Sequence, residues 1–522
     1  MKAKDYVISN EKFKFASNNN NLHDQKLETK PVGYLKDAFY RFRKNKASIV
    51  AAIIILFLVL FAIIVPALTP YSVAYSDTNF SNAAPRNKLC VALDIDFWDG
   101  CFKKEDISYE TFIQLYSRGV ETGQNPIKNG EYESYEFINE KGKVVTLYKY
   151  RLDTYYQKGV IFLNAVSQEE YDNIQKYQDE TGIQVIYPIT DKTRRPKAVQ
   201  DQNEGHFWYE TKQVDGKTVA KFDANGEYVN IYKKYSNGSD NYTSKVRYEG
   251  EGNYLYDYSY SKQGGTYEIR VNYYEYYRYQ HTYVLKDGIE YPSHLFGANG
   301  SGKDILTCLS SGARFSFILA ILVASVNLFV GAIYGAIEGY YGGKLDLFME
   351  RFSDILSAVP FMIVISLMKF HFDRTSPALL LFISFFITGW IGMASRTRMQ
   401  FYRFKNQEYV LAARTLGAKD KRIMFKHIFP NAIGTLITGS VLVIPSVIFS
   451  ETSLTYLNII NLETGNITSV GTMLAKGQEA LSTFPHIILF PSIFISLLML
   501  SFNLFGNGLR DAFNPSLRGT EE

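Results

Sequence analysis

The chain is poor in the residues that build metal and redox centres. Its 522 residues include only 7 histidines and 3 cysteines, which are Cys90, Cys101 and Cys308. Three cysteines are too few for a four-thiolate zinc site, and their spacing matches no redox motif. We therefore predict no metal site and no cofactor in this chain. A disulfide between Cys90 and Cys101 stays open, because it depends on whether that segment lies in an oxidising compartment.

An excess of charge of one sign is also lacking. The chain has 56 Lys+Arg against 52 Asp+Glu, a net charge of +4. This balance gives no electrostatic case for nucleic acid as a partner. No pair of histidines has metal-site spacing within an apolar run, which disfavours a membrane enzyme. We therefore predict no catalytic residues.

Long apolar runs, by contrast, are abundant. The mean hydropathy of −0.13 would suit a soluble protein, but the apolar residues are concentrated in a few segments. These runs predict a polytopic α-helical membrane protein with six transmembrane helices and the bilayer as its surroundings. The first run starts too far from the N-terminus for a cleaved signal peptide, which is the competing interpretation. The predicted spans are 49–65, 315–337, 352–370, 377–395, 431–450 and 486–506.

Basic residues predict the orientation of these spans. Cations precede the first span, and the loop 396–430 is basic, with only Glu408 and Asp420 as acidic residues. By the positive-inside rule both segments are cytoplasmic, and the four spans predicted between them are consistent with this. We expect a multi-pass membrane protein with both termini in the cytoplasm. The cations of the loop are Arg396, Arg398, Arg403, Lys405, Arg414, Lys419, Lys421, Arg422 and Lys426.

The long segment between the first two spans is then extracellular. It holds most of the chain's 40 tyrosines. Asp215-Gly216 and Asn225-Gly226 between alternating segments predict hairpins, the second of them with a strand over Tyr228 to Tyr232. A capping box at Ser167 predicts a helix to about Asp179, followed by a strand over Ile183 to Ile189. This aromatic, β-branched composition favours a folded, β-rich α+β domain over a loose linker.

The predicted domain organisation follows from these assignments. We expect a cytoplasmic tail at 1–46, a first transmembrane helix at 47–70 and an extracellular inserted domain at 71–293. A core with five transmembrane helices follows at 294–510, and a cytoplasmic tail at 511–522 ends the chain.

One segment comes close to a phosphate-binding loop. Gly297 to Asp304 carries the glycine and lysine positions of that motif, but Asp304 stands where a hydroxyl would bind magnesium. No buried strand precedes Gly297. We therefore predict a glycine-rich loop leading into the second span, and no nucleotide site.

The cytoplasmic loop carries a short amphipathic helix. Tyr409, Ala412, Ala413 and Leu416 recur at helical spacing, and Gly417 is placed to end the helix. A second helix is predicted over 422–429, with Pro430 stopping it. The face could dock a partner or lie on its own membrane domain, and the pattern alone leaves both open.

Glu408 to Asn431 resembles the EAA loop of the ABC importer permeases that serve oligopeptide and dipeptide uptake. The resemblance extends over about 36–70 and 294–518. It departs from the family at Leu411, where the family's glutamate usually stands and for which Glu408 could substitute, and in the large insertion. The other matching segments are Lys36 to Leu68, His294 to Asp304, Gly312-Ala313-Arg314, Gly339 to Gly343, Glu350-Arg351 with Asp354, Pro360, Asn503 to Asp511 and Asn514-Pro515.

The resemblance implies a permease subunit that is a pathway for peptide and not an enzyme. It implies a second homologous permease, two ABC ATPase subunits and an extracellular substrate-binding lipoprotein as partners. The residues expected to couple to the ATPases are Glu408, Tyr409, Ala412, Ala413, Leu416 and Gly417. The residues of the substrate pathway stay unknown, and for Asp354 and Glu451 packing or capping is favoured over substrate contact. The alternative function is a receptor or adhesin that acts through the tyrosine-rich region without ATPases.

Overall fold

The computed structural model describes residues 34–187, 198–200, 208–229, 242–250, 253–261, 266–463 and 467–513. Short 3-10 or π-helical turns lie at Thr78–Phe80, Gln280–Val284 and Ile423–Ile428. The helices are α1 Tyr34–Lys44, α2 Lys46–Leu68, α3 Lys88–Ala92, α4 Tyr109–Thr122, α5 Gln168–Thr181, α6 Tyr273–Tyr279, α7 Ile305–Tyr341, α8 Gly343–Ser357, α9 Phe361–His371, α10 Pro377–Phe404, α11 Glu408–Thr415, α12 Asp420–Arg422, α13 Phe429–Val441, α14 Val443–Tyr456, α15 Val470–Glu479 and α16 His486–Phe513. The strands are β1 Cys101–Ser108, β2 Ile127–Ile138, β3 Val144–Asp153, β4 Val160–Val166, β5 Ile186–Tyr187, β6 Ala198–Gln200, β7 Trp208–Val214, β8 Lys217–Ala220, β9 Tyr242–Gly250, β10 Asn253–Ser261 and β11 Tyr267–Asn272.

Long apolar helices form a bundle. Among the described residues, five helical segments are long and apolar enough to cross a membrane, and a sixth is possible if the bent pair α8 and α9 counts as one span. The ends of these helices follow local chemistry. Asn45, Asp304 and Ser376 each accept a backbone N–H of the first turn that follows, which caps α2, α7 and α10.

The span predicted over 352–370 falls on α8 and α9, which form one span only if the two helices are counted together. α8 and α9 meet at a bend of 72°. Pro360 lies at this break, directly before α9. Proline has no amide hydrogen to donate and pushes the preceding residue out of helical geometry, so a continuous helix is interrupted here.

Pro430 was predicted to end a second helix of the cytoplasmic loop, and this prediction was wrong. Helical structure runs from α12 through the π-helical turn Ile423–Ile428 into α13 and α14 without a loop. Pro430 lies in the first turn of α13, where a missing N–H is tolerated. The basic loop and the next span therefore share one helical segment.

α7 and α10 pack unusually closely. Gly331, Gly335 and Gly339 recur every four residues on α7 and face α10. A Cβ atom on Gly335 would lie 2.1 Å from the carbonyl oxygen of Ala394, so no larger residue fits. Small residues at this spacing let two membrane helices approach to backbone contact.

The inserted segment folds mainly into β-sheet with helices on it. The described strands form three sheets, ordered β1-β3-β2, β4-β11-β10-β9 and β6-β7-β8, and β5 also pairs with β11. The hairpin at Asp215-Gly216 is confirmed, with Val214 opposite Lys217. The helix after Ser167 is confirmed as α5, whose N-terminus the serine side chain caps. The predicted strand 183–189 is described only to 187 and is short.

Other predictions for the insertion have mixed outcomes. At Asn225-Gly226 the chain does turn, with Phe222 bridged to Tyr228, but 230–232 lies outside the described residues. Cys90 and Cys101, whose pairing was left open, are free thiols. Most of the predicted tails, 1–33 and 514–522, also lies outside the described residues, while α16 extends to Phe513.

The glycine-rich loop before α7 seats the insertion on the bundle. The amide of Ala298 donates to the carbonyl of Ala83 in the insertion, at 2.9 Å. Asp304 accepts the amide of Thr307 and also lies 3.0 Å from Nδ1 of His294. The loop therefore leads into α7 as predicted, and the carboxylate of Asp304 caps the N-terminus of that helix.

Candidate coupling site

The predicted coupling helix α11 lies at the end of the bundle opposite the insertion. The insertion joins α2 to the start of α7, whereas α11 follows α10 and packs near the far end of α7. Glu408 and Gly417 bound this helix as the sequence predicted.

One side chain anchors α11 to the bundle. Val410 is fully buried in a cluster with the ends of α7 and α10. Sequence analysis missed it, because the pattern of Tyr409, Ala412 and Leu416 drew attention to the other face. Its sequence neighbours Tyr409 and Leu411 are also apolar, so no local signal set it apart. Its partners in the cluster are Ala336, Tyr340, Phe401, Ile423, Met424 and Ile428.

Gly417 ends the helix in a Schellman motif. The amide of Gly417 donates to the carbonyl of Arg414, and the amide of Ala418 donates to that of Ala413, each at 3.0 Å. Gly417 has a φ of +82°, which favours glycine because a side chain is strained there. The chain can therefore turn at once into α12.

The face predicted to dock a partner is mostly open. Tyr409 and Ala412 are exposed, and Leu416 is 88% exposed. Ala413 is half-buried, so it borders this face without belonging to it. Leu411, which replaces the family's usual glutamate, is also exposed and adds an apolar side chain. The structure thus leaves an apolar surface uncovered, which is unusual unless something binds it.

Polar contacts tie this end of the bundle together. The hydroxyl of Tyr340 donates to Asp420 at 2.6 Å and accepts from Arg414 at 3.4 Å. The amide of Asn431 donates to the hydroxyl of Tyr409 at 3.3 Å. Partial burial raises the pKa of Tyr409, although that bond lowers it. α11 is therefore held by contacts to α7 and α13, and α7 is bonded in turn to α12.

An ion-pair cluster joins α7, α8 and α10. Arg398 of α10 lies 2.6 Å from Asp346 and 2.9 Å from Glu350, both in α8, and 3.5 Å from Glu338 of α7. Lys405 donates to the carbonyl of Gly339 at 2.9 Å. Burial lowers the pKa of Lys405, which nearby Asp346 raises. Arg398, counted in the sequence only as a topology signal, links three helices.

The two carboxylates singled out near span ends have structural contacts. Glu451 is fully buried in α14, where Ser316 donates to it at 2.7 Å and Ser469 at 2.5 Å. Asp354 is exposed and pairs with Arg351 at 3.1 Å. These contacts fit the packing and capping roles favoured from the sequence.

The sequence matches known transport proteins at both ends. Residues 328–519 match the model of the binding-protein-dependent transport system inner membrane component, and 33–85 match the N-terminal transmembrane domain of oligopeptide transport permease C. The oligopeptide transport system permease protein of Bacillus subtilis (strain 168) is 41% identical over 225 residues, which cover 43% of this chain and 72% of that protein. The chain belongs to the peptide ABC transporter permeases.

The dipeptide transport system permease protein of Bacillus subtilis (strain 168) is 37% identical over 227 residues, covering 43% of this chain and 69% of that one. A chain of the MetNI methionine ABC transporter aligns at 13% identity with a TM-score of 0.30, over 39% of this chain and 96% of that chain. The two family models leave residues 86–327 unmatched, and this range includes most of the insertion.

Family membership settles the class of the protein. The chain is a multi-pass membrane permease component of an ABC peptide importer, and the ATPase is carried by partner subunits. It is a transport subunit and not an enzyme. This favours the permease prediction over the receptor or adhesin alternative.

Proposed function

We propose that this permease forms half of a peptide pathway and that α11 transmits ATP-driven movement into it. The observation that carries the proposal is an exposed apolar face, with Tyr409, Ala412 and Leu416, on a helix that Val410 fixes to the bundle. A second, homologous permease completes the pathway. Two ABC ATPases bind the α11 face, and a substrate-binding lipoprotein delivers peptide at the opposite end.

The proposed topology has six spans, with the bent pair α8 and α9 counted as one. The basic loop 396–430 and both termini then lie in the bacterial cytoplasm, and 71–293 forms an extracellular domain, with the core at 294–510. This arrangement puts α11 on the side where ATP is available. It also puts the insertion on the side where peptide arrives.

Coupling follows from the way α11 is held. The Schellman turn at Gly417 and the buried Val410 leave the helix little freedom to move alone. A displacement of α11 by a bound ATPase would move α7 through the contact with Tyr340 and α10 through the contact with Phe401. ATPase closure shifts the permease between inward- and outward-facing states only if the docked helix interacts differently with each.

The test replaces the exposed residue Ala412 by a bulky one. Ala412→Trp should leave the fold intact, because the side chain points to open space, and should obstruct the ATPase. We expect several-fold less peptide uptake by the whole transporter in proteoliposomes, and loss of the ATPase stimulation that peptide causes. Both rates are measured on the same preparation.

The matched control is Ala224→Trp, at an exposed turn of the insertion. It introduces the same side chain far from α11 and should leave uptake and ATPase rates unchanged. Ala413 is a poor test site, because it is half-buried and a change there disturbs packing as well. Normal uptake with normal ATPase rates in Ala412→Trp would show that α11 does not couple the two.

A further inference from the structure

One loop of the insertion presents an unusual run of exposed apolar side chains. Within Lys88 to Phe97, which we call the apolar loop, every residue except Cys90 is exposed. Leu89 and Leu93 are each 71% exposed and Phe97 is 66% exposed, and Val91 and Ile95 are also exposed. In water such a cluster is costly, and it marks a contact surface.

The acidic residues of the apolar loop pair with cations on strands β2 and β3. Asp94 and Asp96 alternate with Leu93, Ile95 and Phe97. Lys128 on β2 lies 2.9 Å from Asp94 and 2.7 Å from Asp96, and Arg151 on β3 lies 2.6 Å from Asp96. The hydrogen bond from Lys128 and the charge of Arg151 lower the pKa of Asp96. The two carboxylates, although exposed, are thus each paired with a cation of the sheet.

Trp98 fixes the level of the apolar loop relative to the bundle. Its ring stacks on Phe296 at 6.4 Å and on Phe490 at 6.3 Å between centroids. Phe490 lies in the first turns of α16, a membrane-spanning helix. The loop therefore lies where the bundle leaves the hydrocarbon, a level at which tryptophan is enriched.

The neighbouring helix surface is apolar at this level too. α2 runs antiparallel beside α16, and Phe61 contacts Phe494 at 6.0 Å between ring centroids. Ile63 and Leu68, further along α2 toward the insertion, are exposed. Leu489 of α16, next to the residue on which Trp98 stacks, is exposed as well. The apolar loop therefore lies near exposed apolar residues of membrane helices.

We propose that the apolar loop inserts into the membrane interface and packs against lipid acyl chains, and that this contact binds the insertion to the bilayer surface. Lipid fits as the occupant because the loop lies near exposed apolar residues of α2 and α16. Lys88 at the edge of the loop can extend its ammonium to the headgroups. This inference needs only the membrane setting and does not depend on coupling through α11.

The test measures the depth of spin labels in the whole transporter reconstituted in phosphatidylcholine and phosphatidylglycerol liposomes. Labels are placed by Leu93→Cys and Leu89→Cys after Cys90→Ser, Cys101→Ser and Cys308→Ala. Ile63→Cys on α2 is the lipid reference, and Phe222→Cys on the distant β7 and β8 region is the water reference. Collision rates with oxygen and with a water-soluble nickel chelate are recorded at each site.

We expect the oxygen-to-nickel ratio at Leu93 and Leu89 to be well above that at Phe222 and at or below that at Ile63. A ratio equal to that at Phe222 would overturn the proposal. Low collision rates with both reagents would also overturn it, since the loop would then be covered by protein.

If the cysteine changes prevent folding, Leu93→Trp places a fluorophore in the apolar loop itself, and its quenching by brominated lipid is measured instead. Trp98→Phe, Trp208→Phe and Trp390→Phe remove the chain's own tryptophans. We expect strong quenching in brominated liposomes relative to unbrominated ones. Equal emission in the two would contradict the proposal.

Discussion

Arg270 in β11 donates a hydrogen bond of 2.5 Å to Glu121 in α4, and neither side chain has exposed surface. The two residues lie 149 positions apart, so this contact joins distant parts of the insertion. Removing two charges from water is costly, and their attraction offsets that cost only while both are present.

Glu121→Gln should therefore destabilise the insertion by about 3–5 kcal/mol, because it removes the buried carboxylate charge that faces the guanidinium. The double variant Glu121→Leu with Arg270→Leu should recover much of this loss. Thermal resistance of the insertion to protease, measured in the full chain, reports the difference. Lys176→Gln is the control, since Lys176 forms an exposed pair with Glu180 and should cost under about 1 kcal/mol. Similar losses in the double and single variants would argue against an uncompensated charge.

Gly335→Ala should loosen the packing of α7 on α10. The added methyl would overlap the carbonyl oxygen of Ala394, so one helix must shift, at a cost of about 1–3 kcal/mol. Gly392→Ala on α10 is the control, because a Cβ there meets no atom within 4 Å. We expect the unfolding midpoint in detergent to fall for Gly335→Ala alone. Equal midpoints in the two variants would show that the close approach is not needed.

Sequence patterns predicted best what depends on neighbours along the chain. Long apolar runs located α2, α7, α10 and α16, and the capping box located α5. The break at Pro360 was missed because a run of apolar residues hides it, although proline itself was the warning. The spacing of Gly331, Gly335 and Gly339 was equally visible and was not used.

Contacts between distant segments could not be predicted in this way. The ends of α11 were predicted from Glu408 and Gly417, because both depend on local chemistry. Its anchor, Val410, depends on α7 and α10 lying beside it. The pairing of Arg270 with Glu121 likewise depends on how strands and helices far apart in sequence come together, which no local pattern encodes.

The stability of the insertion should fall as pH rises toward 6. Burial raises the pKa of Asp153 to about 6, although the guanidinium of Arg86, 3.6 Å away, lowers it. The folded insertion thus holds this proton more tightly than the unfolded chain. The free energy of unfolding is highest below the ordinary carboxyl pKa, decreases toward pH 6 by at most about 3 kcal/mol, and is level above it.

Asp153→Asn should remove this dependence on pH. Protease-resistance midpoints of the full chain between pH 4.5 and 8 measure it. Asp215→Asn is the control, because asparagine suits the exposed hairpin turn as well as aspartate does and should leave the pH profile unchanged. An unaltered profile in Asp153→Asn would mean that another group sets it.

Gly417→Ala should uncouple transport while costing little stability. A side chain at a φ of +82° costs about 1–2 kcal/mol, which the chain can relieve by opening the Schellman turn and tilting α11. Gly142→Ala in the β2 and β3 hairpin is the matched control, because its φ is +73° and a Cβ there meets no atom within 4 Å. Both variants should show a similar local strain, but only Gly417→Ala should reduce peptide uptake per ATP hydrolysed. If the two variants transport equally well, the angle of α11 does not control coupling, and its exposed face needs another explanation.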